Sequence, residues 1–593
     1  MFLSPLYYTD DTMDIRNTLK KTIKEALKEL GIEANLNDFV VEPTADLKFG
    51  DYQTNVSLIF SKKSAIKNPR ELAEKIKEKI HRNMPVGLEK IDVAGPGFIN
   101  FYLSRQFFTD LDQEILTNGD SYGRNNLYNN ELVVVEYTDP NPFKDFHIGH
   151  LMNNTIGESI SRIIEAGGAK LVRACYQGDV GLHVAKTIWG VRKMLIDSPE
   201  TKKDFFGNFL GFGKNPKIWG KAYALGATKY EEDETAKKEI VEINKKVYER
   251  NDQTVNHIYD VGRKVSLEAF EKIYKKLDTK FNEYFFESQT TKFGIELVLK
   301  NIDNSVFEKS NGAVIFRGEN YGLHTRVFIN SEGLPTYDAK DLGLAKYKYD
   351  RVPYDKSIVI TASEQDEYFK VMLKALEQIY PDLAKKTTHL SHGMLRLPSG
   401  KMSSRTGQVI TGESLLEDIK VNVLEKMKDR QMSDREKNVV AEIVAVGALK
   451  FSILKQVAGK DIIFDFDKSL SFEGDSGPYL QYSYVRAMSV CEKAMNNGIK
   501  ADLLKMPAET FELEKILSRF GEVVERAGGD LAPHYIVTYL LDLASTFNTF
   551  YANNKIVDKD DMYSPYKVAL TEVFAKVIKN GLNLLGIKVP ERM

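Results

Sequence analysis

Cysteine, tryptophan and long apolar runs are scarce in this sequence. The 593 residues include only 2 Cys and 2 Trp, and no segment approaches the roughly 18 uninterrupted apolar residues typical of a membrane-spanning helix. Two cysteines make at most one disulfide and cannot by themselves supply a four-ligand zinc site, so we expect a reducing compartment. The first residues show no basic start followed by an apolar run. We therefore expect a cytoplasmic protein that makes no membrane contact.

A net charge of one sign is also nearly absent. The 82 Lys and Arg residues almost balance the 84 Asp and Glu residues, which leaves a formal charge of −2. This balance argues against a generally basic, nucleic-acid-coating surface, so any contact with nucleic acid should be confined to one region. What the chain does have is length and an ordinary globular composition, with 42% apolar residues. These properties predict about three to five folded domains.

The N-terminal part of the chain mixes helix and strand patterns. Apolar residues recur at helical spacing near the N-terminus, and further helical patterns begin near Asp51 and at Pro69. Two strand patterns at 88–93 and 98–103 are separated by a Gly-Pro-Gly turn. We therefore predict an α+β domain over residues 1–118.

The next part has the pattern of an α/β domain. The Val-rich run at 132–137 predicts a strand buried on both faces, and a helix and a second strand follow it as a βαβ unit. We predict a Rossmann-like parallel-sheet domain over 119–410, with a Lys/Glu-rich helical insertion at about 190–285. Strand signals almost vanish over 411–593, where long helical patterns predict an all-α helical bundle. The chain is thus expected to be multidomain.

A short segment directly after the Val-rich run carries the most specific chemistry. His147 and His150 lie three residues apart at the predicted start of a helix, where unpaired backbone N–H groups and the helix dipole favour an anion. Both imidazoles can donate to phosphate oxygens, and Gly149 leaves space for a flat base. The alternative is a pair of core or surface histidines with an ordinary turn glycine. The position between strand and helix favours a nucleotide site.

A second segment, Lys401-Met402-Ser403-Ser404-Arg405, lies in a loop of small residues and glycines. Its two cations could neutralise a triphosphate as pyrophosphate leaves, and a flexible basic surface loop is the alternative interpretation. Taken together, the two segments resemble the His-Ile-Gly-His and Lys-Met-Ser-Lys-Ser motifs of class I aminoacyl-tRNA synthetases, in the same order along the chain.

Within this class the resemblance narrows to the arginyl-tRNA synthetase family and extends along nearly the whole chain. Similar segments are Gly50-Asp-Tyr-Gln-Thr-Asn55, Asn68-Pro-Arg70, Gly95-Pro-Gly-Phe-Ile-Asn100, Gly178-Asp179, Phe472-Glu-Gly474, Phe547-Asn-x-Phe-Tyr551 and the run from Leu585 to Met593. The resemblance implies that L-arginine and ATP form arginyl-adenylate, and that arginine is then transferred to the 3′-terminal adenosine of tRNA(Arg). ATP would enter with Mg²⁺ as a substrate complex, without a tightly bound cofactor or a dedicated protein metal site.

The resemblance also implies a role for each domain. The N-terminal domain would bind tRNA, the parallel-sheet domain would be catalytic, and the C-terminal bundle would bind the anticodon. We expect the protein to be a monomer whose partners are tRNA(Arg), L-arginine and ATP.

Individual residues receive roles from the same resemblance. Those implied in catalysis are His147, His150, Lys401 and Arg405, and those implied in ATP binding are His147, Gly149, His150, Lys401, Met402 and Ser403. A guanidinium needs buried carboxylates and planar partners, and the candidates to bind arginine are Asn141, Asp179, Glu287, Tyr337, Asp341 and Gln365. The candidates to bind tRNA are Tyr479, Gln481, Tyr482, Asn548, Tyr551 and Met593. The alternatives are a surface acid for Glu287, a helix-surface charge for Asp341 and core packing for the aromatic residues.

Three departures limit the resemblance. His183 stands where the family often has Gln, Ser404 replaces the second lysine of the loop motif, and Asp139 stands where many members have Ser. We assign part of the missing lysine's role to Arg405, the nearest group that can donate several N–H bonds. Two other functions are possible for the same sheet: a small-molecule nucleotidyltransferase and a non-catalytic tRNA-binding paralogue. The extra helical bundle argues against the first, and the intact histidine motif argues against the second.

Overall fold

The computed structural model describes residues 15–196, 215–396 and 411–593. The chain forms two compact units, and each is assembled from parts that are distant in the sequence. Unit 1 takes the chain up to Gly123, Ser483–Val523 and Tyr539–Asn580, whereas unit 2 takes Arg124–Tyr482, Val524–Thr538 and Gly581–Met593. The compact units therefore divide the C-terminal helices between them, and the expected boundaries at residues 118 and 410 stay a prediction.

Unit 1 begins with an α+β fold whose four strands form an antiparallel sheet in the order β1-β2-β4-β3. Its elements are α1 (Ile15–Glu29), β1 (Val41–Pro43), β2 (Tyr52–Thr54), α2 (Val56–Phe60), α3 (Pro69–Arg82), β3 (Leu88–Ala94), β4 (Phe98–Leu103) and α4 (Arg105–Asn118). The start of α3 follows the sequence, because Asn68 accepts from two backbone N–H groups of the first turn and Pro69 occupies the first helical position.

The prediction of a helix that begins near Asp51 is wrong. Tyr52 and Thr54 instead alternate inwards on β2, which pairs with β4, and only the one-turn helix α2 follows. Gly50 has a φ of 104°, and a Cβ there would lie 2.8 Å from the carbonyl oxygen of Phe101. Sheet pairing at this close approach overrides the helical spacing of the segment.

Unit 2 contains a five-stranded, fully parallel sheet in the order β12-β11-β5-β6-β7. Val133, Val134 and Val135 of the central strand β5 are completely buried, as their apolar run predicts. The elements up to the end of this sheet are β5 (Leu132–Glu136), α5 (Ile148–Ala166), β6 (Lys170–Gln177), α6 (Leu182–Ile196), α7 (Pro216–Glu232), α8 (Glu234–Glu249), α9 (Gln253–Lys276), β7 (Glu283–Phe286), α10 (Glu287–Lys300), β8 (Glu308–Ser310), β9 (Ala313–Phe316), β10 (Arg326–Ile329), α11 (Tyr337–Arg351), β11 (Lys356–Ala362), α12 (Asp366–Ile379), α13 (Pro381–Lys386) and β12 (Thr387–His392).

The remainder of the chain is mostly helical. Its elements are β13 (Leu395–Arg396), α14 (Gly412–Lys426), α15 (Asp434–Leu454), β14 (Ile462–Ile463), α16 (Phe466–Ser469), α17 (Gly477–Asn496), α18 (Glu512–Leu517), α19 (Phe520–Gly529), α20 (His534–Asn553) and α21 (Ser564–Leu584). This arrangement confirms the predicted fold class. Among the helices of the three described ranges, none is long and apolar enough to cross a bilayer.

The segment Gly581–Met593 belongs to unit 2 and is bonded to its helices. Ser159, in the second half of α5, donates to the carbonyl of Leu584 at 3.0 Å, across 425 residues of sequence. The buried ammonium of Lys450 on α15 donates to the carbonyl of Gly586 at 2.8 Å. These bonds satisfy carbonyls at the end of α21 and just after it, groups that a helix leaves without internal partners. We call this segment the terminal strap.

Candidate functional site

The predicted site residues follow the carboxyl ends of neighbouring strands. Asn141 comes after β5, Asp179 after β6, Glu287 after β7 and Gln365 after β11. In a parallel sheet these ends share one edge, so four segments that are distant in sequence converge there. Asp341 is added from the first turns of α11. The fold thus brings the expected arginine-binding segments to the edge where such sheets bind ligands.

The loop between β5 and α5 has an unusual backbone. Thr138, Asp139 and Phe143 all have positive φ angles, of 79°, 45° and 70°, which residues with a side chain rarely adopt. Two short hydrogen bonds hold the loop: Thr138 N donates to Oδ1 of Asn153 at 2.6 Å, and Asp139 accepts from the backbone N of Tyr176 at 2.7 Å. The carboxylate that departs from the family pattern therefore ties this loop to β6.

His147 and His150 lie at the start of α5 with their rings stacked, 3.6 Å between centroids. Nδ1 of His147 accepts from the backbone N of Gly149 at 3.1 Å, and Nδ1 of His150 accepts from the backbone N of His147 at 3.2 Å. Burial lowers the pKa of both imidazoles, and the charge of Lys144 lowers them further. Each ring is therefore neutral near pH 7 and, because Nδ1 accepts, carries its proton on Nε2. The pair presents two N–H donors at a helix N-terminus.

Two glycines at the site allow close contacts that a side chain would block. A Cβ on Gly149 would lie 3.0 Å from ring atoms of His147, so this glycine makes room for the imidazole. A Cβ on Gly178 would lie 2.3 Å from Oδ1 of Asn141 and 3.2 Å from Oε1 of Glu287. The backbone N of Gly178 donates to that same Asn141 oxygen at 3.1 Å. Gly178 is the point where two predicted arginine-binding side chains meet the backbone.

The structure gives a local contact for His183, which stands where the family often has Gln. Its Nε2 lies 2.8 Å from the carbonyl oxygen of Gly178. Burial, with help from Lys144 and Lys340, lowers the pKa of the ring to about 3, so it is neutral and donates this bond. His183 therefore holds the backbone of the turn that carries Asp179.

Neither of the two predicted acids is a surface charge: Glu287 is buried and Asp341 is half-buried. Glu287 is 4% exposed and forms an ion pair with Lys340, with 2.6 Å between Oε2 and Nζ. Asp341 accepts a short hydrogen bond from the hydroxyl of Tyr368. Burial raises the pKa of Asp341 to about 8, and the negative charges of Glu136 and Glu287 contribute. Glu287 is thus paired with a cation, whereas the partner of Asp341 is a neutral hydroxyl group.

Asp179 is fully buried, and its carboxylate already has several donors. Arg263 Nε lies at 2.8 Å, the hydroxyl of Tyr259 at 3.2 Å, and both the backbone N and the hydroxyl of Ser288 donate, at 2.9 Å and 2.8 Å. These bonds tie the turn after β6 to α9 and α10. Its contact with arginine or ribose stays a prediction, and the observed bonds are those of a residue that positions the pocket.

Tyr337 and Gln365 are the more exposed members of the predicted arginine site. Tyr337 is 64% exposed at the start of α11, and Gln365 lies exposed just before α12. Both Tyr337 and Asp341 belong to the helix α11, and the ammonium of Lys340 on the same helix lies 5.3 Å from the Tyr337 ring centroid. The sequence analysis did not identify Lys340 or Tyr368 as site residues. The only signal for them was their helical spacing, since Lys340 follows Tyr337 by three residues and Tyr368 follows Gln365 by three.

The predicted tRNA residues of unit 2 differ in exposure. Tyr479 and Tyr482 on α17 are half-buried, and so is Met593. Gln481 is completely buried and donates to the carbonyl of Lys588 at 2.6 Å. This side chain supports the terminal strap, so any influence of Gln481 on tRNA would pass through the position of the strap.

In unit 1 the predicted tRNA residues belong to a polar cluster. Asn548 on α20 accepts a short hydrogen bond from Arg486 and donates to the hydroxyl of Ser483 at 3.2 Å. Tyr551, 42% exposed, has the Arg486 guanidinium 5.3 Å from its ring centroid. An amide, a guanidinium and an exposed ring are the groups with which proteins commonly contact unstacked RNA bases.

The basic loop motif lies outside the described residues, and it includes Lys401, Met402, Ser403, Ser404 and Arg405. Thr411, where the described chain resumes, forms an antiparallel bridge with His147, and the backbone N of Gly412 donates to the carbonyl of Phe146 at 2.7 Å. The chain therefore resumes directly beside the histidine pair.

Three family models match the chain in order. They are described as "Arginyl tRNA synthetase N terminal domain" over residues 17–103, "tRNA synthetases class I (R), catalytic domain" over 112–466 and "DALR anticodon binding domain" over 480–593. The catalytic model alone spans more than half of the sequence and contains the predicted ATP and arginine residues.

Individual proteins agree with these models. An arginine–tRNA ligase of Clostridium botulinum is 30% identical over 593 residues, with 98% of this chain and 100% of the relative covered. The arginine–tRNA ligase of Limosilactobacillus reuteri is 32% identical over 590 residues with the same coverage. The solved Thermus thermophilus arginyl-tRNA synthetase superposes with a TM-score of 0.77 at 24% identity, covering 98% of this chain and 100% of that chain, which supports the fold. The chain therefore belongs to the arginyl-tRNA synthetase family of class I aminoacyl-tRNA synthetases, the enzymes that charge tRNA with arginine.

Proposed function

We propose that the carboxyl edge of the parallel sheet is where this enzyme forms arginyl-adenylate. In this reaction a carboxylate oxygen of arginine attacks the α-phosphate of ATP, a new P–O bond forms, and pyrophosphate leaves. The protein performs little covalent chemistry here, because alignment and stabilisation of phosphate charge supply most of the catalysis. His147 and His150 donate to the phosphates through Nε2, and Gly149 lets the nucleotide approach the helix start.

The observation that carries this proposal is that Nδ1 of each histidine lies within hydrogen-bond distance of a backbone N. Both Nδ1 atoms accept backbone N–H groups, so both Nε2 protons remain for a ligand. Neutral imidazoles suit this role, since they donate without holding the product phosphate by full charge attraction. Lys401 and Arg405 precede Thr411 in the sequence, and Thr411 forms a bridge with His147. We assign these two cations to the charge on departing pyrophosphate. Magnesium enters with ATP as part of the substrate.

The arginine pocket is assigned to the acids at the same edge. Glu287 and Asp341 receive the guanidinium, whose planar fork of donors matches carboxylates in a desolvated setting. The Tyr337 ring packs on the guanidinium plane, and Asn141 and Gln365 hold the α-amino and carboxylate groups. Asp179 positions the turn from which the pocket is built, as its bonds to α9 and α10 support.

For tRNA we propose that the N-terminal α+β domain and the C-terminal helices provide the contacts. The residues assigned are Tyr479, Gln481, Tyr482, Asn548, Tyr551 and Met593, with Gln481 acting through the terminal strap. The matched N-terminal and anticodon-binding family models support this division of labour. We further propose that the enzyme works as a monomer in the cytoplasm, with ATP bound as its magnesium complex and no tightly bound cofactor.

The test uses replacements that separate the two nitrogens of His150. In His150→Asn the amide can still accept the backbone N–H near the Nδ1 position, but the donor at Nε2 is lost. In His150→Gln a donor near Nε2 is kept. We expect His150→Asn to slow tRNA-dependent ATP–pyrophosphate exchange by about 100-fold, on the order of 3 kcal/mol. The exchange rate of His150→Gln should fall much less.

A matched control is His389, a histidine on β12 that stacks on Phe369 with 4.0 Å between ring centroids. His389→Asn should leave the exchange rate near that of the wild type. Near-normal exchange by a folded His150→Asn enzyme would contradict the assignment of His150 to the phosphates.

A further inference from the structure

An internal lysine lies where the proposed function places the substrate's cationic end. The ammonium of Lys340 is 2.6 Å from Oε2 of Glu287, and both side chains are 6% exposed. The ring centroids of Tyr337 and Tyr248 lie 5.3 Å and 6.0 Å from the same nitrogen. A carboxylate with two aromatic rings is an environment that attracts cations. Lys340 is therefore held by the groups expected to receive arginine.

This ion pair changes what Glu287 can offer to a substrate. Because both side chains are buried, the loss of either one would leave the charge of the other without its partner, which is strongly destabilising. Lys340 is also tethered, so its effective concentration at Glu287 is on the order of millimolar or more. A free ammonium that approached Glu287 would only replace an identical group.

A guanidinium faces a different situation. A carboxylate has about four lone-pair sites, so Glu287 can keep its bond from Lys340 and accept a further N–H from either cation, and the two cations differ in what else they can reach. The planar fork of donors can at the same time reach a second acid, Asp341, whereas an ammonium is a compact point charge. The tethered Lys340 should therefore weaken the binding of free arginine only slightly and the binding of free lysine strongly.

We propose that Lys340 is a specificity-determining residue, whose tethered ammonium occupies the position at Glu287 that a substrate ammonium would need and so excludes lysine and ornithine from activation. This inference rests on the proposed function, because it requires Glu287 to be part of the arginine pocket. A merely structural role, in which Lys340 joins α11 to α10, would affect all amino acids equally.

The experiment measures lysine as a competitive inhibitor of arginine-dependent, tRNA-dependent ATP–pyrophosphate exchange, so lysine turnover is not needed. In Lys340→Met the inhibition constant for lysine, relative to the KM for arginine, should fall at least tenfold. Lys340→Arg keeps a tethered cation and should keep the wild-type ratio. An unchanged ratio in a folded Lys340→Met enzyme would overturn the proposal.

The matched control lies on the same helix. Lys348 forms a second buried ion pair, with Glu136 at 2.7 Å and its own side chain 2% exposed. Lys348→Met removes the same chemistry eight residues further along α11, and it should destabilise the fold while leaving the lysine-to-arginine ratio unchanged. A shift equal to that of Lys340→Met would show a general effect of a lost ion pair and would also overturn the proposal.

A second measurement uses the wild-type enzyme and covers the case in which Lys340→Met does not fold. Norleucine has the lysine side chain without its terminal amine. If Lys340 excludes a substrate ammonium, lysine should inhibit the exchange no better than norleucine does. Inhibition by lysine at a concentration tenfold lower than norleucine requires would refute the proposal. Glu287→Gln tests the underlying site separately, because an unchanged KM for arginine would show that Glu287 is not part of the pocket. If this variant raises the KM for arginine but Lys340→Met leaves the ratio of the lysine inhibition constant to the arginine KM unchanged, only the inference about Lys340 is rejected.

Discussion

Asp341 imposes a cost on the fold that replacement by asparagine should remove. Burial raises the pKa of this carboxyl to about 8, with Glu136 and Glu287 adding to the shift and the bond from Tyr368 opposing it. In an unfolded chain an aspartate titrates near about 3.9. Because the folded-state pKa is the higher of the two, the folded protein binds more protons, and its stability falls as the pH rises from about 4 to 8.

The size of the effect follows from the gap between the two values. Between about pH 3.9 and about pH 8, each pH unit lowers the free energy of unfolding by about 1.4 kcal/mol. Keeping Asp341 protonated in the folded state therefore costs on the order of 1 to 2 kcal/mol at pH 5 and about 4 kcal/mol at pH 7. Asn has nearly the same shape and does not ionise, so Asp341→Asn should be more stable than the wild type by these amounts.

Arginine binding should change in the opposite direction. The guanidinium needs the carboxylate, so wild-type affinity should rise about tenfold per pH unit from pH 6 towards 8 and level off above, with a proton released on binding. Asp341→Asn should bind arginine more weakly, by about 2 to 4 kcal/mol, and without this pH dependence. A single change would then raise stability while it lowers substrate affinity.

Two measurements check this prediction: urea unfolding at pH 5 and 7, and calorimetric titration with arginine at pH 6, 7 and 8. Asp338→Asn is the comparison variant: the charge of this buried carboxylate helps to raise the pKa of Asp341, so its loss should move the pH dependence of arginine binding to lower pH without abolishing it. If Asp341→Asn were less stable than the wild type at pH 7 and bound arginine equally well, the reasoning would be refuted.

Two further predictions concern the turn after β6 and the basic loop. Gly178→Ala places a Cβ against Oδ1 of Asn141, so the KM for arginine in exchange assays should rise at least about tenfold, or roughly 1.4 kcal/mol, and a wild-type KM would contradict the close approach. Arg405→Ala should slow single-turnover adenylate formation at saturating tRNA by at least about tenfold, with ATP affinity less affected. Ser404→Lys should partly restore that rate, and an unchanged rate in Arg405→Ala would remove Arg405 from the catalytic step.

The parts of the fold that local patterns control could be predicted from the sequence. The Val-rich run forms the central strand of the parallel sheet because only a strand buried on both faces needs so many apolar residues in succession. The histidine segment lies at the start of α5, since the run before it is a strand and the apolar spacing after it is helical. Asn68 and Pro69 likewise begin α3 as their side-chain chemistry requires.

The pairings that shape the site could not be predicted in this way. Glu287 and Lys340 are 53 residues apart, and with 28% charged residues in the chain, many partners were equally compatible with the sequence. Asp179 is bonded to Arg263 across 84 residues for reasons that only the packing of α9 against the turn reveals. Near Asp51 the helical spacing was misleading, because pairing between β2 and β4 decides the local structure.

The terminal strap also sets an order of events during synthesis. The hydroxyl of Ser159 needs the carbonyl of Leu584, which the ribosome adds 425 residues later. At about 5 to 20 residues per second, helix α5 must wait about 20 to 85 seconds for that partner. A nascent chain that already holds the whole parallel sheet therefore still lacks groups that secure its histidine-bearing helix. Until the terminal strap has emerged from the ribosome, the hydroxyl of Ser159 and the ammonium of Lys450 lack their partners on the strap.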